Sequence, residues 1–339
     1  MKKVLLIGTG GTIASVETGN GLLPGIDPRG LIDFIPGAKD IADLSFFQLF
    51  NLDSTNMGPY HWQKLAEYIR SVYEDYDAFI ISHGTDTMAY TAAALSYMIQ
   101  NSKKPIILTG SQKPINYDIT DAKSNLLDAI SYAADPESHG VVLVFAGLVI
   151  AGTRAKKIRS KSYSAFSSID FPALAIIQEG RIMRYLPPLE IKGGPEFYTK
   201  LNSKVFLLKL IPGMKADILE YLFGQYDGLI FESFGLGGIP ESISPVFVDM
   251  VKKYPEKLVI MATQVAHEGS DMNIYEVGLK YKKDLDFMES FDMTPEAILA
   301  KAMWALSDSS KTKDEIKKLF YTPINYDSIC LGCDKLINI

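Results

Sequence analysis

The chain has 339 residues, 47% of them apolar, and a formal net charge of −6. Because single hydrophobic cores stop growing at roughly 250–300 residues, this length predicts two domains. Acidic and basic residues are interspersed rather than grouped, which argues against a nucleic-acid-binding surface and favours a small-molecule partner.

The N-terminus has the pattern of a first β-strand. The apolar run at residues 4–7 (VLLI) is followed directly by a glycine-rich turn at residues 8–15 (GTGGTIAS). An export signal has a longer apolar region, and no run elsewhere approaches the roughly 20 residues that span a membrane, so we expect a cytoplasmic protein without membrane contact. The turn matches a dinucleotide-binding motif only in part, because Ile13 stands at the third glycine position, and a nucleotide-binding module is therefore a minor alternative. Thr12, beside glycines, has the open surroundings that a nucleophile needs.

Helices and strands alternate in the next segments. Residues 17–24 predict a glycine-rich loop or hairpin, residues 28–35 a helix, residues 42–50 a strand and residues 62–73 another helix. The strand ends in a polar turn at residues 51–58 (NLDSTNMG). As in the first turn, small hydrogen-bonding side chains follow an apolar run.

The stretch between residues 77 and 98 organises the N-terminal half. Residues 77–82 (DAFIIS) predict a buried parallel strand, and residues 91–98 (TAAALSYM) predict a helix packed on the sheet. The turn between them, residues 83–87 (HGTDT), then lies at the carboxyl end of a strand, where open α/β sheets bind ligands. Threonine and aspartate are also favoured at helix caps, so capping alone is the structural alternative.

A fourth strand, at residues 105–109, ends in the same kind of turn at residues 110–114 (GSQKP). Because the carboxyl ends of parallel strands meet at one edge of a sheet, the small polar side chains of these turns should share a pocket. Those side chains belong to Thr12, Ser54, Thr85 and Ser111.

The second half continues the α/β pattern after a change of composition. Prolines and glycines cluster between residues 186 and 196, and residues 293–305 predict a strongly amphipathic helix. The predicted fold class is α/β, with a larger parallel-sheet domain of Rossmann or flavodoxin type and a smaller α/β domain. The predicted bounds are 1–190 for the N-terminal domain, 191–204 for a linker and 205–339 for the C-terminal domain.

The two cysteines, Cys330 and Cys333, form a single C-x-x-C pair near the C-terminus. A zinc site of this kind needs a second pair of ligands, and the chain has no further cysteine and only four histidines. We expect ordinary reduced thiols and no metal site, with redox or metal chemistry as the alternative.

An enzyme built from these residues has to use hydroxyls, a carboxylate and lysine. The segment 153–161 (TRAKKIRSK) is rich in cations and by default is a solvated basic loop, but one of its lysines can point inward. A neutral lysine can remove the proton of a threonine hydroxyl, with a second hydroxyl as relay, and Thr85, Asp86 and one lysine suit that role. Backbone amides of the glycine-containing turns can hold an oxyanion. This set of groups is typical of amide or ester hydrolysis.

The four turns together resemble those of the bacterial-type L-asparaginases, and the similarity covers essentially the whole chain. The matching motifs are residues 9–14 (TGGTIA), 53–57 (DSTNM), 83–88 (HGTDTM) and 109–114 (TGSQKP). Residues 291–296 (FDMTPE) resemble the type I, cytoplasmic branch. The resemblance implies a hydrolase of a linear amide C–N bond that converts L-asparagine and water into L-aspartate and ammonia. It also implies a homodimer or homotetramer without a cofactor.

The resemblance further implies catalytic roles. Thr12 would be the nucleophile that attacks the side-chain amide, and Thr85, Asp86 and Lys157 would form a proton-relay set. Lys157 rather than its neighbour matches the family's lysine, which lies nine residues before a phenylalanine, here Phe166.

Substrate-binding roles follow from the same resemblance. Thr85 and Asp86 would both take part in substrate binding, and Asp86 would bind the substrate's α-amino group. The α-carboxylate and amine would be held by a group in the second turn, made up of Asp53, Ser54 and Thr55. The backbone carbonyl of Ser111 would receive the amide NH₂.

The sequence departs from the family pattern at several positions. Leu22 aligns with a loop tyrosine near the nucleophile, and the candidates to replace it are Tyr60, Tyr117 and Tyr163. Gly238 replaces an asparagine that in many relatives reaches across a subunit interface. Glu232 and Val265 replace the arginine and cysteine with which some type I relatives bind asparagine at an allosteric site, so allostery of that kind is not expected.

Three alternatives remain open. The first is a glutaminase-asparaginase, because one extra methylene changes binding by only ~1–3 kcal/mol. The second is the amidase subunit of a tRNA-dependent amidotransferase, which carries an added N-terminal domain, whereas Thr12 lies close to the start here. The third is a non-catalytic amino-acid sensor, which only Leu22 favours.

Overall fold

The structure is a computed structural model that describes residues 1–19, 21–187, 191–274, 281 and 283–329, and at residues 18, 22 and 24 the backbone alone. It divides into two compact units, Met1–Thr199 and Lys200–Ile339. The division falls inside the segment 191–204 that the sequence suggested as a linker. Within the described ranges no helix has the length and apolar character needed to cross a membrane.

The first unit is built mainly of strands. They are β1 (Lys3–Gly10), β2 (Ser15–Thr18), β3 (Gly21–Pro24), β4 (Asp43–Leu52), β5 (Ala78–Ser82), β6 (Ile99–Gln100), β7 (Pro105–Thr109), β8 (Gly140–Phe145), β9 (Leu148–Ala151), β10 (Ala155–Lys157), β11 (Phe166–Ser168), β12 (Ala175–Gln178), β13 (Arg181–Arg184) and β14 (Glu196–Phe197). Eight of these described strands form one sheet in the order β13-β12-β9-β8-β7-β5-β1-β4.

The sheet is parallel from β4 to β8 and antiparallel beyond it. The parallel part confirms the predicted fold class, whereas the antiparallel extension was not predicted. The chain reverses after β8 because Ala146 and Gly147 both have positive φ angles, 50° and 75°, as in the primed turns of β-hairpins. Alanine is not typical there, and its amide is held by the side-chain oxygen of Asn125 at 2.8 Å. A contact distant in sequence thus stabilises this turn.

Helices cover the sheet. Those of the first unit are α1 (Pro28–Ile32), α2 (Ala38–Ile41), α3 (Pro59–Val72), α4 (Met88–Met98) and α5 (Ala122–Ala134). A buried apolar cluster joins α1, α2 and α5 to the sheet and includes Leu6, Ile80 and Ile107. Burial of each such side chain stabilises the fold by about 1.5–3 kcal/mol. This packing holds the carboxyl ends of the parallel strands in fixed positions.

The second unit is the smaller α/β domain expected from the sequence. Its described elements are β15 (Val205–Lys209), α6 (Asp217–Gln225), β16 (Gly228–Ser233), α7 (Ser244–Lys253), β17 (Leu258–Thr263), β18 (Met288–Glu289), α8 (Pro295–Ala305) and α9 (Lys313–Phe320). The strands form a parallel sheet in the order β15-β16-β17-β18.

The prediction that α8 is strongly amphipathic was wrong. Nearly all of its side chains are buried, including the charged residues Glu296 and Lys301. The Lys301 side chain is shielded from solvent. Its ammonium group donates to the carbonyl of Thr322 at 2.8 Å and to the carboxylate of Asp327 at 2.5 Å. The lysine of α8 is therefore covered by the segment that follows α9.

Candidate active site

The turns after β1, β4, β5 and β7 are packed against one another through glycines. A Cβ atom added to Gly11 would lie 2.3 Å from the amide nitrogen of Gly84, and one added to Gly84 would lie 2.6 Å from Ser54 Oγ. A Cβ on Gly110 would lie 2.2 Å from the carbonyl oxygen of His83. Only glycine permits such close backbone approach, and Gly11 also has a φ of 82°. The carboxyl edge of the sheet therefore brings these turns together.

Thr12 begins a short 3₁₀ turn, Thr12–Ala14, directly after Gly11. The turn is held on both sides, because the Gly11 amide donates to the Leu52 carbonyl at 3.2 Å and the Ile115 amide donates to the Ile13 carbonyl at 3.2 Å. Thr12 itself is half-buried. Its position beside the Gly11–Gly84 contact puts it next to the turn that carries Thr85.

Lys157, Thr85 and Asp86 are in direct contact. The Lys157 ammonium donates to Thr85 Oγ1 at 2.8 Å and to Asp86 Oδ1 at 2.7 Å. Lys157 ends β10, where it pairs with Phe166 of β11, the residue that selected it in the sequence. Its side chain is 18% exposed and that of Asp86 is 60% exposed. The basic segment is thus not a solvated loop throughout, because one of its lysines points at the turn after β5.

Lys157, Thr85 and Gln112 form a chain of hydrogen bonds. While Lys157 donates to Thr85 Oγ1, the Thr85 hydroxyl donates its own proton to Gln112 Oε1 at 3.2 Å. A protonated lysine has three donors and no acceptor, so it can take a proton only after losing one. In the neutral state its lone pair can accept from a hydroxyl while an N–H still donates to Asp86.

The predicted substrate-binding residues other than Thr85 and Asp86 occupy two turns, after β4 and after β7. Ser54 is buried, and its carbonyl accepts a hydrogen bond from Thr87 Oγ1 at 2.7 Å, which links the turn after β4 to the turn after β5. Asp53 is exposed and its carboxylate caps the turn by accepting from the Thr55 amide at 2.9 Å. Ser111 is buried, and its hydroxyl donates to the Lys113 carbonyl.

Gln112 and Asp121 also belong to this region, and sequence reasoning did not select them. Gln112 contacts Thr85 and donates from Nε2 to the Ser162 carbonyl at 3.2 Å. The Asp121 carboxylate accepts from the amides of Gln112 and Lys113 at 2.9 and 3.1 Å. Because Asp121 accepts from these two amides, they are not available to hold an oxyanion. The sequence showed only an aspartate at a helix start, where capping is the usual role.

His83 is a fully buried neutral group whose tautomer follows from its neighbours. The Gly84 carbonyl can only accept, so His83 Nδ1 carries the proton and donates to it at 2.7 Å. His83 Nε2 then accepts from the Thr91 hydroxyl at 2.9 Å, and Thr91 Oγ1 in turn accepts from the Trp62 indole at 2.9 Å. Burial lowers the pKa of His83 to about 4, so it stays neutral near pH 7. His83 therefore holds the turn rather than transferring protons.

The structure describes only some of the other positions that the sequence singled out. The Leu22 backbone pairs with Glu17 in the β2–β3 hairpin, but its side chain lies outside the described part of the chain. Cys330 and Cys333 also lie outside it. Of the tyrosines considered as a replacement, Tyr117 contacts this hairpin, because its hydroxyl lies 3.4 Å from a Glu17 carboxylate oxygen. Among the described residues no group of three or more His, Cys, Asp or Glu side chains could hold a metal ion.

Comparison with known proteins identifies the class and the family. Residues 3–189 match the family described as "Asparaginase, N-terminal", and residues 204–320 match the "Glutaminase/Asparaginase C-terminal domain". Two solved structures have the same fold with more than a quarter of their residues identical. The protein is a hydrolase that acts on amide bonds. The chain belongs to the asparaginase family, as its turn motifs predicted.

Three relatives illustrate the range of this family. The L-asparaginase of Thermococcus kodakarensis is 34% identical over 319 residues, which cover 94% of this chain and 96% of the relative. A structure of the thermostable L-asparaginase from this organism superposes with a TM-score of 0.88 at 33% identity, covering 96% of this chain and 98% of the other. The structure of a probable cytoplasmic L-asparaginase from Campylobacter jejuni gives a TM-score of 0.82 at 27% identity, covering 95% and 100%.

The third relative is a component of the glutamyl-tRNA(Gln) amidotransferase of Metallosphaera sedula. It is 33% identical over 335 residues, which cover 94% of this chain and 75% of the relative. The amidotransferase alternative drawn from the sequence therefore corresponds to real relatives of nearly equal similarity. Membership of the family identifies the reaction as amide hydrolysis. It does not identify the substrate, which has to be inferred from the residues of the site.

Proposed function

We propose that the protein hydrolyses L-asparagine to L-aspartate and ammonia. The observation that carries the proposal is the contact of Lys157 Nζ with both Thr85 Oγ1 and Asp86 Oδ1, at 2.8 and 2.7 Å, beside the turn of Thr12. A binding protein needs no lysine aimed at a hydroxyl, so this contact argues against the amino-acid sensor. The similarity to the T. kodakarensis L-asparaginase along 96% of that enzyme supports the choice of substrate.

In the proposed reaction Thr12 Oγ attacks the carbonyl carbon of the side-chain amide. The hydroxyl proton passes to the neutral Lys157 amine, with Thr85 as the relay. The C–N bond breaks as the amide nitrogen takes up a proton and leaves as ammonia, and an ester of Thr12 remains. Water then attacks the ester carbon, which releases aspartate and returns a proton to Thr12.

Substrate recognition in this proposal uses both ends of the amino acid. The Asp86 carboxylate is 60% exposed and so can pair with an α-ammonium group as well as with Lys157. Ser54 and Thr55, with Asp53, would hold the α-carboxylate and amine, and the Ser111 carbonyl would accept from the amide NH₂. The cytoplasmic location and the homodimer or homotetramer implied by the resemblance stay predictions.

The test is ammonia release from L-asparagine and L-glutamine by the wild type and by the Thr12→Ala and Thr85→Ala variants. We expect asparagine to be the better substrate and each substitution to lower kcat by at least ~10³-fold, which is ~4 kcal/mol of barrier. Thr12→Ser, which keeps the hydroxyl, should retain measurable activity.

The other outcomes separate the alternatives. Comparable rates on the two amides would indicate a glutaminase-asparaginase. Saturable asparagine binding by calorimetry without ammonia release would overturn the proposal in favour of the sensor. Activity that survives Thr12→Ala would leave the protein an amide hydrolase with a different nucleophile.

A further inference from the structure

The turn at residues 110–113 is held by a buried carboxylate. Asp121 lies directly before α5 and is 4% exposed. Its Oδ2 accepts from the Gln112 amide at 2.9 Å, and its Oδ1 accepts from the Lys113 amide at 3.1 Å. Hydrogen bonds from backbone amides to a carboxylate are stronger than bonds between neutral groups. One side chain therefore fixes two consecutive amides of the turn.

Asn125, one helical turn further along α5, holds the other end of the same turn. Its Nδ2 donates to the Gly110 carbonyl at 2.9 Å and to Asp121 Oδ2 at 3.3 Å. Its Oδ1 accepts from the Ala146 amide at 2.8 Å, and the side chain is fully buried. Residues four apart lie on one face of a helix, so Asp121 and Asn125 act together on the turn.

The turn in question carries the acceptor of the Thr85 proton. Gln112 Oε1 lies 3.2 Å from Thr85 Oγ1, and Gly110 is pressed so closely on the His83 carbonyl that only glycine fits. A shift of the turn would therefore move Gln112 away from Thr85 and change the orientation of the Thr85 hydroxyl. A misplacement of about 1 Å at a reacting group can cost about 10²-fold in rate.

The geometry points to Asp121 as a positioning residue for the reaction: by holding the amides of Gln112 and Lys113, its carboxylate sets the orientation of the Thr85 hydroxyl through Gln112. This inference rests on the proposed function, because it assigns the effect to the proton-relay set of Thr85 and Lys157. Burial raises the pKa of the Asp121 carboxyl, while the turn amides favour its charged form.

The experiment compares kcat and KM for asparagine in Asp121→Asn, Gln112→Ala and the double variant. Asn keeps the shape, but in place of Oδ2 it puts an NH₂ group against the Gln112 amide and Asn125 Nδ2, which both donate, so the turn loses its shortest hydrogen bond and is pushed from its position. We expect Asp121→Asn to lower kcat by about 10–100-fold with KM changed less than about threefold. If Asp121 acts through Gln112, the double variant should be no slower than Gln112→Ala alone.

The matched control is Asp128→Asn, the same substitution two helical turns further along α5, which should leave kcat and KM unchanged. Additive losses in the double variant, or an Asp121→Asn enzyme with wild-type kcat, would overturn the inference. If Asp121→Asn does not fold, Gln112→Ala decides, because a wild-type kcat in that variant would equally overturn it. A wild type without amidase activity would instead count against the proposed function.

Discussion

The two units each contain a short lysine–aspartate pair, and the pairs differ in what surrounds them. In the first unit Lys157 and Asp86 are 2.7 Å apart with side chains 18% and 60% exposed. In the second unit Lys301 and Asp327 are 2.5 Å apart and both are 0% exposed. Charge and distance are thus nearly the same, so neither can decide which pair does chemistry.

The surroundings of the two pairs differ, and the difference supports the proposed catalytic role of the first pair. Besides Asp86, Lys157 contacts a hydroxyl, and its partner carboxylate is open to solvent and so to a substrate ammonium group. Lys301 donates to Asp327 and to the Thr322 carbonyl, and its ammonium lies 5.5 Å from the centre of the Phe320 ring. Burial lowers the pKa of the Lys301 amine while Asp327 raises it. The buried pair connects α8 to the segment after α9 and is structural.

Of the substitutions that test this comparison, Lys157→Met should have the largest effect, and the effect is on kcat. The substitution removes the amine that contacts Thr85 and Asp86 but keeps most of the side-chain volume. We expect kcat on asparagine to fall by at least ~10³-fold, because the proposed general base is lost and Thr85 then has no amine to which it can relay the proton. Steady-state ammonia release measures this, and thermal unfolding should show a melting temperature close to that of the wild type.

The matched control is Lys156→Met, the neighbouring lysine of β10. Its kcat should stay within a few-fold of the wild type. If Lys156→Met abolishes activity and Lys157→Met does not, the family alignment that selected Lys157 is off by one residue and the contact at 2.8 Å is structural.

The second expected effect concerns stability. Lys301→Met leaves the Asp327 carboxylate buried without its cation, and breaking a buried pair in this way costs about 3–5 kcal/mol of unfolding free energy. The double variant Lys301→Met, Asp327→Leu should recover much of that loss, because two buried charges are then replaced by apolar groups. Urea unfolding measures the difference.

The control for that experiment is Lys311→Met, which breaks an exposed pair with Asp308 whose side chains are 34% and 48% exposed. Exposed pairs contribute about 0–1 kcal/mol, so this variant should be nearly as stable as the wild type. Equal losses in Lys301→Met and Lys311→Met would contradict a structural role for the buried pair.

Local patterns were enough to predict the framework of the site. The strand of residues 78–82 and the helix of residues 88–98 follow from an apolar run and an alanine-rich segment, and the turn between them carries Thr85 and Asp86. The polar turns after the other parallel strands were predicted to meet at one edge of the sheet. The same reasoning could suggest that one lysine of residues 153–161 points inward, but only the family resemblance selected Lys157.

Contacts between distant residues were beyond such reasoning. The reversal at Ala146 depends on Asn125, and the turn amides of Gln112 and Lys113 are taken by Asp121. No local pattern shows that an aspartate before a helix holds a loop instead of capping. The burial of Lys301 in α8 was missed for the same reason, since the polar face of a helix can be covered by a segment that comes later in the chain.

The smallest expected effect concerns Asp128 of α5, a half-buried carboxylate that has neither an ion pair nor a hydrogen bond within the part of the chain described. Burial raises its pKa to about 6 from 3.8. Between these values the folded state binds the proton that the unfolded state has lost, so this group destabilises the fold increasingly as the pH rises to 6 and constantly above it. Because the side chain is partly solvated, we expect Asp128→Asn to stabilise by about 1 kcal/mol at pH 7.

Urea unfolding at two pH values tests the sign of that effect. The gain from Asp128→Asn should be present at pH 7 and largely gone at pH 4, where the wild-type carboxyl is protonated in the folded state. Asp249→Asn, the same change at an exposed position of α7, should give no gain at either pH. A gain in stability that persists at pH 4 would mean that Asn packs better than Asp at position 128. The destabilisation would then not come from the charge of the unpaired carboxylate.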